Sequence, residues 1–321
     1  MKKINFIFFL IILFSTLLLN SFTSGQEFPR RKIEILVPWA AGGGTDLTAR
    51  LMADLSSRIF GVPFYVTNKT GGRGVVGFYS GARAKPDGYT VTTLTVEIVT
   101  ISHLGLANVS HKDFTPIMLY NHDPAALSVR ADSPYKNLKE FIEDAMRRPN
   151  KIKVGNSGTG NIWHLAAAGF EQKTGIELAH VPYDGGAPAI KAVLGGEIDA
   201  TTASAVEVYP QAEGGKMRIL AIFGDERLNF LPDIPTLKEL GIDFTTESWR
   251  GLGVPKSTPK EIVDILHKGF KKVYESEEFQ NFMKKRGFGM IYKAPEDFRI
   301  FMDEQFEEFG KIIKNLGISN K

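Results

Sequence analysis

The sequence predicts an α/β protein of two lobes, each lobe a mainly parallel sheet flanked by helices. Short β-branched runs alternate with amphipathic segments along the chain, and this alternation is typical of parallel β-α-β units. The chain has 321 residues, which is more than one hydrophobic core usually serves. Two short stretches, 113–116 and 249–255, are suited to carry the chain between lobes. We therefore expect a discontinuous lobe at residues 26–122 plus 250–321 and a second lobe at residues 123–249.

The individual elements follow from the spacing of the apolar residues. Apolar, β-branched runs predict strands at residues 33–37, 64–67, 90–94, 117–120, 127–130, 152–155, 179–182, 198–201 and 217–223. Helical periods predict helices at residues 45–59 and 162–173, the second ending at Gly175, which suits a left-handed helix cap. A long helix begins at Pro295, and its apolar stripe predicts packing on the core.

Two capping-box patterns predict the starts of further helices in the C-terminal part. Thr258 is followed by Pro259 and then by Glu261, three positions after the threonine. Thr236 and Glu239 have the same spacing. In this motif the hydroxyl and the carboxylate satisfy the first backbone N–H groups of a helix. We expect a helix directly after each pattern.

The first 25 residues have the layout of a secretory signal peptide. Lys2 and Lys3 precede an apolar run at residues 4–19, and a small-polar zone at residues 21–25 follows it. The alternative is an uncleaved membrane anchor, but the apolar run is shorter than the roughly 20 residues that span a bilayer. We expect cleavage after Gly25 and a periplasmic protein.

The composition narrows the classes of function. The chain contains no cysteine, which excludes disulfides, thiolate catalysis, thiolate metal sites and a lipidated N-terminal cysteine. The net charge is +3, and the leader carries two of these charges and no acid. A near-neutral mature chain has no electrostatic footprint for nucleic acid or an anionic membrane. We expect a monomer with no cofactor and no metal.

Two glycine-rich loops are the strongest candidates for a ligand site. The run from Gly42 to Asp46 follows a predicted strand and starts a predicted helix, so its backbone N–H groups and the positive helix end favour an anion. Residues 155–161 have the same setting and add small hydroxyls and amides. Tyr183 and the pair at 203–204 also follow strands, where ligands of open α/β sheets bind.

Other motifs are weaker. Residues 72–77 match the dinucleotide pattern G-x-G-x-x-G, with Glu97 twenty positions on, but an exported chain is a poor context for a nicotinamide cofactor. Residues 133–136 with 173–175 resemble motifs of penicillin-recognising enzymes, without the Ser-Asp-Asn element. The six histidines show no metal-ligand spacing, and His164 is expected to be structural. We predict no catalytic residue.

Read together, blocks along nearly the whole mature chain resemble one family, the extracytoplasmic receptors of tripartite tricarboxylate transporters, often called Bug receptors. The blocks are Val37-Pro38 with Gly42-Gly43-Gly44-Thr45-Asp46, Asn68 with residues 71–77, Lys85-Pro86-Asp87-Gly88-Tyr89-Thr90, Asp113-Phe114-Thr115-Pro116, residues 155–160, His180-Val181-Pro182-Tyr183 with Gly186-Ala187-Pro188-Ala189, Leu194-Gly195-Gly196, Leu231-Pro232-Asp233-Ile234-Pro235-Thr236 and Trp249-Arg250-Gly251-Leu252.

The resemblance implies a type II-like periplasmic-binding-protein fold that closes like a Venus flytrap, joined by two crossing strands. It implies a small organic carboxylate as ligand, held by loop backbone and hydroxyls, and delivery to a membrane permease. The ligand-binding residues it implies are Trp39, Gly42, Gly43, Gly44, Thr45, Asp46, Val75, Val76, Ser157, Gly158, Thr159, Gly160, Asn161, Tyr183, Ala203 and Ser204. The chain departs from the family at Trp39, Ala41, Asp184 and residues 161–163.

The predicted function is therefore a periplasmic solute-binding protein for a tripartite tricarboxylate-type transporter. The alternatives are a sensor subunit that presents the ligand to a membrane signalling protein, and a periplasmic hydrolase or lyase. Trp39 and Trp163 are either wall packing or a lid over the ligand. Glu97 is expected to be a surface acid; the alternative is that it reaches the cleft and favours a ligand with an amine or hydroxyls.

Overall fold

A ten-stranded mixed sheet with nine flanking helices organises the part of the chain that the computed structural model describes, residues 28–183 and 185–319. The strands are β1 (Ile33–Val37), β2 (Phe64–Asn68), β3 (Thr90–Thr95), β4 (Phe114–Arg130), β5 (Lys153–Asn156), β6 (Ala179–Pro182), β7 (Ala200–Ser204), β8 (Met217–Ile222), β9 (Glu247–Pro255) and β10 (Gly289–Lys293). The helices are α1 (Gly44–Phe60), α2 (Val75–Ala82), α3 (Leu138–Arg147), α4 (Ile162–Thr174), α5 (Gly186–Gly195), α6 (Ala205–Glu213), α7 (Lys260–Glu275), α8 (Glu277–Arg286) and α9 (Pro295–Asn315). Short 3-10 segments lie at Gly72–Gly74, Val96–Val99 and His111–Asp113.

The predicted β-α-β order appears at both ends of the sheet, whose strand order is β2-β1-β3-β9-β4-β7-β5-β6. β1 pairs in parallel with β2 and β3, and β5 pairs in parallel with β6 and β7. β4 joins these two parallel groups through antiparallel pairs with β9 on one side and β7 on the other. The carboxyl ends of β1, β5 and β7 therefore lead into the starts of α1, α4 and α6.

β4 differs from its prediction because it is one strand of 17 residues, not two short ones. The polar stretch Asn121, His122, Asp123 suggested a break, but it pairs with β9 through Asn121↔Arg250, His122↔Trp249 and Asp123↔Ser248. Asn121 and Asp123 are fully buried, so their polar side chains point to partners inside the protein, not to a loop. β9 itself was predicted only as a crossing segment, and β10 was not predicted.

The predicted helices at 45–59 and 162–173 are confirmed as α1 and α4, and Gly175 adopts the left-handed cap with φ 73°. α9 begins at Pro295, and its stripe packs on the core as expected. The helix predicted after Thr258 is confirmed, because α7 begins at Lys260, but Thr258 makes no capping hydrogen bond. The helix predicted after Thr236 is wrong. Thr236 and Glu239 exchange both capping hydrogen bonds but close a turn, not a helix.

Three sequence predictions lie outside the described residues: the apolar leader, its cleavage after Gly25, and the departure at Asp184. Among the described helices, none is long and apolar enough to cross a membrane.

Candidate functional site

The carboxylate of Asp46 fixes the conformation of the loop between β1 and α1. Asp46 is 2% exposed and accepts hydrogen bonds from Gly42 N at 2.8 Å, Asn68 Nδ2 at 2.9 Å and Arg50 Nε at 2.9 Å. Burial raises the pKa of Asp46, but the Arg50, Gly42 and Asn68 hydrogen bonds outweigh it and hold the pKa below its usual value. The Asp46 side chain thus serves the loop and has little capacity left for a ligand.

The backbone of the same loop is free to bind. The first helical hydrogen bond of α1 runs from Leu47 N to Gly43 O at 3.0 Å, and the amides of Gly44, Thr45 and Asp46 have no acceptor within the described chain. Unpaired N–H groups at a helix N-terminus form an anion site. The sequence predicted that backbone amides of this loop bind an anion, and the unpaired amides of residues 44–46 are suited to that role.

Arg250 on β9 contacts this loop through Thr45, and it was not among the predicted site residues. Its Nε donates to Thr45 Oγ1 at 3.0 Å, and its Nη1 donates to Asn121 Oδ1 and Asp123 Oδ2. Burial alone would lower the pKa of Arg250, but the charge and hydrogen bond of Asp123 raise it above its usual value. Arg250 also leaves no room for a side chain at Gly44, because a methyl group there would lie 2.8 Å from Arg250 Nη2. The role of Arg250 is not evident from its local sequence, because its partners Thr45, Asn121 and Asp123 lie 205, 129 and 127 residues away along the chain.

The second predicted loop, between β5 and α4, is built in a similar way. Asn156 Oδ1 accepts from Gly158 N at 3.0 Å, and Asn161 Nδ2 donates to Ser157 O at 2.7 Å. α4 makes its first helical bond from Leu165 N to Asn161 O, so the amides of residues 162–164 have no acceptor within the described chain. Ser157 Oγ is also buried without a hydrogen-bond partner in that part of the chain.

Residues 72–76 bring the two loops into one region. A methyl group on Gly74 would lie 3.3 Å from Trp39 Cζ2, and one on Gly160 would lie 3.2 Å from Arg73 Nη1. Of the predicted pair that follows, Val75 is half-buried and Val76 is 48% exposed. Two surface hollows, one lined by residues such as Lys69 and Lys85 and the other by Arg130 and Lys216, contain none of the predicted site residues.

The remaining predicted residues lie beside the second loop. A methyl group on Gly155 would lie 3.3 Å from the Tyr183 ring, and one on Gly158 would lie 3.5 Å from Tyr183 O. Ala203 and Ser204 end β7 and are 0% and 2% exposed. Their register partners are Ala126 and Ala125 on β4, which follow Asp123 and Pro124.

Glu97 is buried, so the expectation of a surface acid is wrong. It is 7% exposed and accepts from Thr95 Oγ1 at 2.5 Å, while Trp39 Nε1 donates to the same hydroxyl at 3.1 Å. Burial raises the pKa of Glu97, whereas Thr95 and Arg250 oppose that rise. The surface prediction failed because Glu97 stands in the short 3-10 segment that follows β3, where local sequence gives no sign of burial. The alternative, that Glu97 reaches a ligand, stays a prediction.

The two tryptophans differ. Trp163 is 6% exposed and belongs to the main hydrophobic core, and its carbonyl accepts from Thr202 Oγ1 at 2.7 Å. This is wall packing. Trp39 is half-buried beside Gly74 at the edge of the first loop, where a lid role stays a prediction.

His164 holds the second loop as a neutral ring, which confirms its structural role. Gly160 N donates to His164 Nδ1 at 3.0 Å, so this nitrogen is an acceptor. Burial lowers the pKa of His164 from 6.5 to about 4, helped by the nearby His180 and Arg73.

We therefore expect His164 to make the protein sensitive to acid. Its contribution to stability is complete above pH 6.5 and is lost as the pH falls towards 4, because only the unfolded chain takes up the proton in that window. The slope from one proton is about 1.4 kcal/mol per pH unit. Urea unfolding across this range should give a flatter dependence for His164→Asn, which keeps an acceptor near the Nδ1 position. Parallel pH curves for the two proteins would contradict the assignment.

Within the described residues, no group of three or more His, Asp or Glu side chains is arranged to hold a metal ion. The G-x-G-x-x-G segment forms a 3-10 turn and the start of α2. Its last glycine, Gly77, packs on backbone: a methyl group there would lie 2.6 Å from Pro38 Cα and 2.8 Å from Lys69 O. The glycine pattern thus serves close packing of α2 on the loop after β1.

The family model described as "Tripartite tricarboxylate transporter family receptor" matches residues 48–318. A UPF0065 protein from the gbd 5′ region of Cupriavidus necator is 33% identical over 295 residues, covering 92% of this chain and 90% of the relative.

Solved structures agree with the fold. A TctC solute-binding protein from Polaromonas, without ligand, is 38% identical with a TM-score of 0.76, covering 90% of this chain and 99% of its own. The periplasmic binding protein BugD is 31% identical with a TM-score of 0.82, covering 91% and 99%. Two further similar structures hold acids: an R. palustris protein with adipate (29% identity, TM-score 0.84, covering 91% and 99%) and MatC from Rhodopseudomonas palustris with bound malate (26%, 0.80, covering 89% and 100%).

Proposed function

The chain belongs to the receptor family of tripartite tricarboxylate transporters, and on that premise we propose that it is a periplasmic solute-binding protein for a small organic carboxylate. The observation that carries the proposal is the convergence of two helix-starting loops with unpaired amides, bridged by Trp39, Gly74, Arg73 and Gly160. The acids bound by two solved relatives, adipate and malate, support the class of ligand.

In this proposal the ligand carboxylate accepts hydrogen bonds from the amides at the starts of α1 and α4. Ser157 Oγ and Ser204 Oγ, both buried without a partner in the described chain, supply further donors. Trp39, Val75, Val76 and the Tyr183 ring form the apolar walls. Charge-assisted bonds to backbone N–H groups are about twice as strong as neutral ones, so the site needs no dedicated cation.

Capture follows from closure of two lobes, which we place at residues 26–122 plus 250–321 and at residues 123–249. Closing excludes water and strengthens the bonds to the carboxylate. The ligand shifts the open–closed balance only by its greater affinity for the closed form. The closed, monomeric receptor then delivers its ligand to the membrane permease. The predicted leader, cleaved after Gly25, accounts for export to the periplasm.

Thermal unfolding of the exported protein against a panel of acids tests the proposal. The protein is first unfolded and refolded to remove any ligand carried from the host. The panel holds mono-, di- and tricarboxylates, acidic amino acids, and aromatic and sugar acids. A ligand at 100 times its Kd should add about 2.7 kcal/mol to the free energy of unfolding. A refolded protein that no member of a wide panel stabilises would contradict the carboxylate assignment.

Serine variants then locate the site. Ser157→Ala and Ser204→Ala should each weaken binding of the acid about tenfold, since each removes one hydrogen bond of about 1–1.5 kcal/mol. Ser80→Ala is the control, because Ser80 Oγ donates to Val76 O at 2.8 Å within α2. Equal affinities for the two site variants and the control would place the ligand elsewhere.

A further inference from the structure

The start of α6 has the sequence of a capping box, but its capping hydrogen bonds do not form. Ser204 precedes the helix and Glu207 is its third residue, the spacing at which a hydroxyl and a carboxylate normally cap a helix. Ser204 makes no capping hydrogen bond. Ser204 Oγ and Glu207 Oε2 are both shielded from solvent, and no residue of the described chain bonds to either atom. Buried polar atoms are nearly always hydrogen-bonded, so these two atoms point to a partner from outside the chain.

Glu207 lies where the starts of two helices meet. A methyl group on Gly186, the first residue of α5, would lie 2.1 Å from Glu207 Oε2 and 3.5 Å from Ala203 Cβ. The carboxylate therefore rests against the beginning of α5, beside the end of β7. It is also within electrostatic range of Arg250, which attracts it, and of Asp123, which repels it. These contacts place Glu207 beside Ala203 and Ser204 of the proposed ligand site, a position that its local sequence does not indicate.

Arg250, the cation within electrostatic range of Glu207, already has other partners. Arg250 donates to Thr45, Asn121 and Asp123, and Glu207 makes no ion pair among the described residues. A second ligand carboxylate placed here would meet a like charge. A protonated amine would instead gain a charge-assisted hydrogen bond to Glu207 Oε2, the carboxylate oxygen that is shielded from solvent.

Resting on the proposed function, we infer that Glu207 makes this receptor select a carboxylate that also carries a protonated amine. The ligand carboxylate binds the amides of the two loops, near Arg73. The ammonium binds Glu207 Oε2. The Ser204 hydroxyl, whose O–H donates to the ligand carboxylate, accepts a hydrogen bond from the ammonium through a lone pair. The amine thus supplies the hydrogen-bond partner that Ser204 and Glu207 lack at the start of α6. Selection arises both from attraction of the amine to Glu207 and from repulsion of a plain polyanion by the same carboxylate.

Matched pairs of acids test this inference. Calorimetric titration of the refolded protein compares succinate with aspartate, glutarate with glutamate, and propionate with alanine, with malate as the hydroxyl analogue. In at least one pair the amino member should bind about tenfold tighter or more. Glu207→Gln should reduce that preference at least about tenfold, because the amino acid loses its charged partner and the plain acid no longer meets a like charge. Glu213→Gln, at the exposed end of α6 where Tyr209 donates to the carboxylate at 2.8 Å, is the matched control and should change nothing.

A measurement on the unmodified protein guards against a variant that does not fold. N-acetylation of the preferred amino acid removes its positive charge and should weaken binding at least about tenfold. An unchanged preference in Glu207→Gln, or a preference for the plain or hydroxy acid, would overturn the inference while the carboxylate receptor stands. Failure of every acid to bind would overturn both.

Discussion

Replacing Arg250 with alanine is expected to lower the free energy of unfolding by about 3–5 kcal/mol, the usual cost of breaking a buried ion pair. The arginine side chain is 7% exposed and that of Asp123 is 1% exposed, so the variant leaves a buried carboxylate without its cation. It also frees Asn121 and Thr45 from the donors that hold them. Urea unfolding followed by tryptophan fluorescence measures the loss.

Two further variants isolate the charge. The double variant Arg250→Met with Asp123→Asn removes both ions and should recover more than half of the loss, because an uncharged pair has no desolvation cost to offset. Arg58→Ala is the matched control, since Arg58 is 55% exposed in its pairs with Asp54 and Glu278, and its unfolding midpoint should barely move. An Arg250→Ala protein as stable as this control would refute the role given to Arg250.

Replacing Asp46 with alanine should cost about 2–4 kcal/mol of stability and weaken ligand binding at least about tenfold. The variant removes the charged acceptor that the Gly42 amide and the Asn68 amide group share, and a hydrogen bond to a charged group contributes about 1.5–3 kcal/mol. Affinity falls as well, because the loop must then be ordered by the ligand itself. Urea unfolding measures the first effect and calorimetric titration the second.

Asp54→Ala on the same helix is the control for Asp46. Asp54 is 68% exposed, and its ion pair among the described residues is with Arg58, so the stability and the affinity of the variant should stay near those of the unmodified protein. Asp46→Asn should resemble Asp46→Ala, because its amide N–H₂ faces donors and not acceptors. A normal affinity in Asp46→Ala would show that the loop orders itself without this carboxylate.

The order of elements could be predicted from the sequence because local patterns encode it. β1, α1 and α4 have regular periods and clear end signals, and their bounds agree with prediction to within one residue. Thr258 shows where such signals fail, since its hydroxyl makes no capping hydrogen bond. A capping-box sequence indicates which hydrogen bonds are available, not which ones the fold makes. Thr236 and Glu239 make the bonds, yet the chain turns away after them.

The polar interior could not be predicted, because its members are distant in sequence. Asn121 and Asp123 look like loop residues until Arg250 is placed beside them. Glu97 and Glu207 look like surface acids for the same reason. The two glycine loops were recognisable since their chemistry is local, whereas the charges that tune the site depend on long-range pairing of β4 with β9 and β7.

The unbroken path of β4 has a consequence for how the molecule comes apart. At about 3.3 Å per residue, its 17 residues span more than 50 Å and share hydrogen bonds with β10 and β9 at one end and with β7 and β8 at the other. Both parallel groups of strands depend on β4, so cleavage of the chain within β4 would leave each fragment with an incomplete central strand. The amides of β4 should be the last to exchange with deuterated solvent. The protein should unfold in a single cooperative step, not as two independent domains.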